Sequence, residues 1–334
     1  MIPIPRPADA GPSQEATVYG PEPIELRFRR GARYWVHHPC RVTGRPEIDE
    51  RLSDYPVAVF LPPGRRPAET PVLIGLQGLA APYHWNGMFL PTLLDMGIAC
   101  VLFDTPLGGE RSLLRLHDGN VLAELEALQR GGVRVTPGLV RWMFEAVARD
   151  FGTVTRLIAD RHGLTDPRRA LFGVSLGTLL SAYAFLRHGV GVRLLGTIGH
   201  ADLPRFARSY AARSPAWLGL LPVRLFGGVA VRLFWRRRRA GWAFLRVLQR
   251  LAGGRGTAGL INPMRYADRA GEGRRVRFLV GEADPVVRPA DATACAARFP
   301  DGECYVVPGL AHGGDAFFEH ARYFLATQLG DWAW

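Results

Sequence analysis

No lysine occurs among the 334 residues, so all 42 basic side chains are arginine. Against 30 acidic residues they leave a formal charge of +12, which would favour anionic partners. Total replacement of lysine by arginine, alongside 39 glycines and 26 prolines, reads as the imprint of a GC-rich genome and not of a ligand. Zinc-finger spacing, an aromatic RNA-binding signature and a basic leucine zipper are all lacking, and with charge alone behind it a nucleic-acid partner is set aside. Cysteine is scarce: Cys40, Cys100, Cys295 and Cys304 are scattered, with no CxxC pair. Buried free thiols are expected, and no metal site. The first residues lack a charged start followed by an apolar run, which favours a cytoplasmic protein. Long apolar runs are broken as well. The stretch 216–235 contains Pro222, Arg224 and Arg232, and an arginine at a bilayer centre costs about 2.5–3.5 kcal/mol. A helix lying on protein or on a lipid surface is expected there instead of a span.

What is present is a regular alternation. Residues 1–24 are rich in Pro, Gly and small polar residues and are expected to be flexible. Beyond them, short apolar runs predict strands at Pro56–Leu61, Val72–Leu76, Ile98–Phe103, Ala170–Val174, Arg193–Ile198, Arg277–Val280 and Cys304–Val307. Amphipathic segments between them predict helices, notably Pro137–Arg161, a helix after Ser175 through Leu186, and Asp315–Leu329. Strands alternating with helices imply an α/β class with a mainly parallel sheet covered by helices. One interval, residues 203–264, breaks the alternation with Arg, Trp, Leu and Phe and is expected to be an inserted helical cap on a core of 25–202 and 265–334.

The strongest local pattern is Gly173-Val174-Ser175-Leu176-Gly177, set between a predicted strand and a predicted helix. Flanking glycines permit the sharp turn that lifts a serine oxygen clear of the backbone, and a helix N-terminus favours developing negative charge. A serine hydroxyl is a weak nucleophile, so this chemistry needs a base within reach and an acid to orient it. Downstream, Gly281-Glu282-Ala283-Asp284-Pro285 puts Asp284 in a turn after a predicted strand, and Pro308-Gly309-Leu310-Ala311-His312-Gly313 does the same for His312.

These three motifs, in the order Ser, Asp, His, make the chain resemble the α/β-hydrolase superfamily from about Pro56 to the C-terminus. The resemblance implies an α/β-hydrolase fold with Ser175 as nucleophile, Asp284 as orienting acid and His312 as general base. It also implies an oxyanion hole from the backbone N–H groups of Leu176 and Leu79. Relatives often carry His-Gly where this chain has Gln77-Gly78, and no HGGG run is present. The implied activity is that of a serine esterase or lipase-like enzyme, without metal or organic cofactor, acting on a small-molecule acyl substrate.

Other polar residues have two readings. Asp202, near the end of another predicted strand, is the alternative acid. Gln77, Gly78, His84, Trp85 and His200 are candidates for contact with substrate, while Asp104 is expected to brace the nucleophile loop. The run Trp235-Arg236-Arg237-Arg238-Arg239, with the stripe Trp242, Leu245, Leu248 and Leu251 behind it, reads first as a solvated basic face. Its second reading is peripheral contact with anionic lipid. Acyl transfer or amide cleavage by the same triad, and a fold relative that binds without turnover, are the competing functions.

Overall fold

The structure, a computed structural model, describes residues 16–78, 81–114, 121–217 and 241–333. Nine strands form one sheet in the order β1-β2-β3-β5-β4-β6-β7-β8-β9. They are β1 Thr17–Leu26, β2 Arg29–His37, β3 Asp54–Phe60, β4 Val72–Leu76, β5 Ala99–Phe103, β6 Arg169–Val174, β7 Arg193–Thr197, β8 Arg275–Gly281 and β9 Gly302–Val307. From β5 through β9 in that order all pairings are parallel, while β1, β2 and β3 join antiparallel at one side. The α/β architecture expected from the alternation is therefore present, and all seven predicted strands form within two residues of their expected ends.

Side-chain alternation explains why the sheet has two apolar faces. On β3, Val57 and Val59 enter one core cluster while Ala58 and Phe60 enter the other. The same split separates Val72, Ile74 and Leu76 from Leu73, and Leu171 from Ala170 and Phe172. Helices cover both sides: α1 Pro46–Ser53, α2 Leu90–Asp95, α3 Val121–Arg130, α4 Pro137–His162, α5 Leu176–His188, α6 Leu203–Trp217, α7 across 241–252, α8 Thr257–Ile261, α9 Pro289–Ala296 and α10 Asp315–Leu329. Residues of α3, α4, α5, α6, α7 and α9 pack in the first cluster, and those of α2 and α10 in the second.

The helix predicted at Pro137–Arg161 runs one residue further. Thr136 caps its start by accepting the N–H of Leu139, and Gly163, at φ 65°, ends it in the left-handed conformation that glycine adopts most readily. This helix returns the chain to β6 and so to Ser175.

One expectation is corrected. Within the segment 1–24 assigned to a flexible start, residues 17–24 lie in β1, paired with β2. β2, inside the sheet, packs Ala32, Tyr34 and Val36 on the core at alternate positions, but β1 contains Pro21 and Pro23, is mostly exposed and lacks the apolar alternation that marks a half-buried strand. Edge position removes the need for it. Between β7 and β8, where the cap is expected, α6, α7 and α8 are described. The run Arg236–Arg239, like most of the apolar stretch 216–235, lies outside the described residues. Among the described residues no helix is long and apolar enough to cross a membrane.

Candidate active site

Ser175 occupies the turn between β6 and α5 with φ 53° and ψ −117°, a conformation costly for any residue but glycine. Two close approaches hold it there. A Cβ on Gly173 would lie 2.4 Å from the backbone of Gly177, and one on Gly177 would lie 2.6 Å from the carbonyl oxygen of Gln77. Only glycine fits either position, so the strand, the helix and the neighbouring loop can pack backbone to backbone. The turn is further tied by the Ser175 N–H donating to the Thr197 carbonyl at 2.9 Å, in the adjacent strand.

His312 and Asp284 reach this turn from the ends of β9 and β8. The Nε2 of His312 lies 3.1 Å from the Ser175 Oγ, and its Nδ1 lies 2.7 Å from Asp284 Oδ2. The second carboxylate oxygen of Asp284 accepts the N–H groups of Val286 at 2.7 Å and Val287 at 2.8 Å. Pro285, lacking an N–H, leaves the two following amides to close around the carboxylate. Asp284 is buried, Ser175 and His312 are half-buried, and the three form one unbroken series of hydrogen-bond contacts.

Leu176 opens α5 directly after the serine, so its N–H has no acceptor within the helix. Leu79 lies outside the described residues. Gly78 beside it comes close to Ser175: a Cβ there would meet the serine Cβ at 3.5 Å. Gln77 is buried and donates from Nε2 to Asn86 Oδ1 at 2.5 Å. That bond ties the loop after β4 to the turn that follows.

A cavity of about 840 Å³ opens over Ser175 and His312. Gln77, Gly78, His84 and Trp85 line it, and apolar side chains make up most of the remaining wall. One end is deep, where Leu128 and Leu139 face Phe206, Phe244 and Leu248 from α6 and α7. The other is a mouth rimmed by Leu26, Arg27, Trp85, Met88 and Asp315. Leu248 and Leu251, from the predicted stripe, point into the cavity while Trp242 is exposed. The walls from α3 and α4, and the rim from the β1–β2 hairpin, had no signal in the sequence beyond general apolarity.

Two candidates fall away from the site. His200, proposed for substrate contact, is fully buried outside the cavity lining, packed edge-on against Phe206, with its Nδ1 accepting the Asp202 N–H at 3.1 Å. Burial pushes its pKa down to about 4, so the ring is neutral there. Asp202, the alternative acid, accepts the N–H of Arg205 at the start of α6 and lies 3.4 Å from that guanidinium. Among the described residues no hydrogen bond or ion pair joins it to His312. Asp104 braces other loops than the nucleophile turn expected of it: its two oxygens accept the N–H groups of Tyr83, after β4, at 2.7 Å and of Glu110, after β5, at 2.8 Å. Burial pushes its carboxyl up to about 7, against the pull of those two amides and of Arg111.

No protein-family model matches the chain, and no curated protein matches it. Among solved structures it is similar to AbyA5, with a TM-score of 0.55 and 16% identity over 90% of this chain and 70% of that one. The esterase PF2001 of Pyrococcus furiosus aligns over 99% of this chain and 97% of its own, at 15% identity and a TM-score of 0.49. Est1E from Butyrivibrio proteoclasticus aligns over 93% and 100%, at 13% identity and a TM-score of 0.45. At such identities the likeness is one of fold.

Proposed function

We propose that this chain, whose fold is that of the α/β hydrolases, is a serine hydrolase cleaving an apolar ester, thioester or lipid. The observation that carries the reading is the relay of Ser175 Oγ, His312 and Asp284, with contacts of 3.1 and 2.7 Å. His312 takes the serine proton as Oγ bonds to the acyl carbon, and Asp284 stabilises the resulting imidazolium. Negative charge on the carbonyl oxygen falls to the N–H of Leu176, with the Leu79 N–H as the expected second donor. The imidazolium then gives its proton to the leaving group as the bond to the acyl carbon breaks, which leaves an acyl group on Ser175. Water, deprotonated by the same ring, releases the acid and restores the serine. No step calls on a metal or cofactor.

The choice of an apolar acyl group rests on the lining of the cavity. Its deep end offers aliphatic and aromatic side chains and no charge, so a hydrocarbon chain gains roughly 0.8 kcal/mol for each buried methylene. In this reading α6 and α7 serve as the cap expected over 203–264.

Reaction with a fluorophosphonate probe tests the proposal. Labelling of the folded protein that disappears in Ser175→Ala, together with hydrolysis of p-nitrophenyl esters, is the expected result. Folded protein that neither labels nor turns over any ester of graded chain length would leave a binding protein as the better account.

A further inference from the structure

We infer that the tip of the β1–β2 hairpin is a docking element for anionic lipid surfaces, holding the mouth of the cavity against the lipid. Pairing of Leu26 with Arg29 leaves Arg27 and Phe28 as a two-residue turn, with φ of 50° and 60°. Turns of this kind favour Asn-Gly, because both central residues need a positive φ. Two bulky side chains at such positions cost stability, and residues kept at that cost point to a function of their own.

The side chain kept at the tip is a phenyl ring in water. Phe28 is 93% exposed, more than any other large apolar residue described. Arg27 makes no ion pair among the described residues, and Arg29 and Arg30 follow directly. Arg29 donates to Asp95 of α2 at 2.7 Å, and Leu26 packs over Gly87, so the tip is anchored to the body and does not swing freely. An aromatic ring flanked by guanidinium groups suits the boundary of an anionic bilayer: the ring enters the acyl edge while the cations pair with phosphates.

The position of this tip gives the pairing a purpose. Leu26 and Arg27 are also rim residues of the apolar cavity. A hairpin that inserts Phe28 would bring the opening level with the lipid, and an apolar substrate could pass inward without crossing water. A protein partner fits less well. Beyond Phe28 the exposed residues of β1 are Thr17, Tyr19, Gly20, Pro21, Glu22, Pro23 and Glu25, and with Tyr19 as their one large apolar side chain they offer too little apolar surface for the core of a protein interface.

Binding is tested apart from turnover, on Ser175→Ala protein, so failure here leaves the hydrolase reading standing. The protein is floated with vesicles of equal parts phosphatidylglycerol and phosphatidylcholine, or of phosphatidylcholine alone, at low and high salt. Binding to the mixed vesicles at low salt is expected, with a several-fold loss in high salt or without the anionic lipid. Adding Phe28→Gly is expected to reduce that binding by about fivefold or more, while raising the melting temperature because glycine accepts the positive φ. The proposal is overturned if the parent does not float or if Phe28→Gly floats equally well. Binding lost only when Arg236–Arg239 are replaced, or a Phe28-dependent self-association without vesicle binding, also overturns it.

Discussion

A Cβ on Gly177 would sit 2.6 Å from the carbonyl oxygen of Gln77, so α5 and the loop after β4 meet with no room for a side chain. That contact sets the distance between the serine turn and the expected oxyanion donors. Gly177→Ala is expected to push the loop outward, costing about 1–3 kcal/mol of stability and roughly tenfold or more in ester turnover. Thermal melts and esterase assays on the same samples check this. A variant with unchanged activity would mean that the loop position does not matter to the reaction.

The two acids near strand ends differ in what they hold. Asp284 faces His312 and is gripped by two backbone amides, whereas Asp202 faces Arg205. Asp284→Asn is expected to lower kcat by roughly 10,000-fold with little unfolding, since the imidazole loses the partner that fixes its tautomer. Asp202→Asn is expected to stay within about threefold and to change stability by less than about 0.5 kcal/mol, since asparagine keeps the oxygen that caps α6. The reverse ranking would reassign the acid.

Leu248 lines the deep end of the cavity from α7. Leu248→Trp shortens that end, so kcat/KM for esters of long acyl chains is expected to fall by about tenfold or more, while acetyl and butyryl esters change little. A uniform loss across the series would place the acyl chain elsewhere.

His200 makes stability depend on acidity. Its pKa of about 4 in the folded chain lies below the unfolded value of about 6.5. Between those values the unfolded chain binds the extra proton, so stability is lost as pH falls from about 6.5 to about 4, by at most roughly 3 kcal/mol. Urea titrations across this window measure the slope. His200→Asn, which keeps an acceptor for the Asp202 N–H, is expected to flatten it; an unchanged slope would assign the acid sensitivity to other groups.

The parallel part of the sheet was legible because β4 to β8 are buried on both faces and read as short, continuous apolar runs, and because β9, though an edge strand with exposed residues, still holds the run Tyr305-Val306-Val307. The hairpin of β1 and β2 was not, because β1 is an edge strand with prolines and charges and β2 offers only the short alternation Ala32, Tyr34, Val36 beside arginines. Of the site, Ser175, Asp284 and His312 stood out because each sits in a turn of distinctive composition after a strand. His200 misled for the opposite reason: a polar residue at a strand end can point inward, and only its packing against Phe206 reveals which way it turned. Likewise nothing local marked Leu128 or Leu139 as cavity wall, since a helix face reads the same whether it meets core or void.

The three relay residues leave the ends of β6, β8 and β9, with β7 between them contributing none. Their meeting therefore depends on the register of four adjacent strands, and a slip of one residue at any pairing would turn side chains to the opposite face. Reactivity at Ser175 is thus a gauge of the whole parallel half of the molecule, and inactivation and cooperative melting belong to a single event.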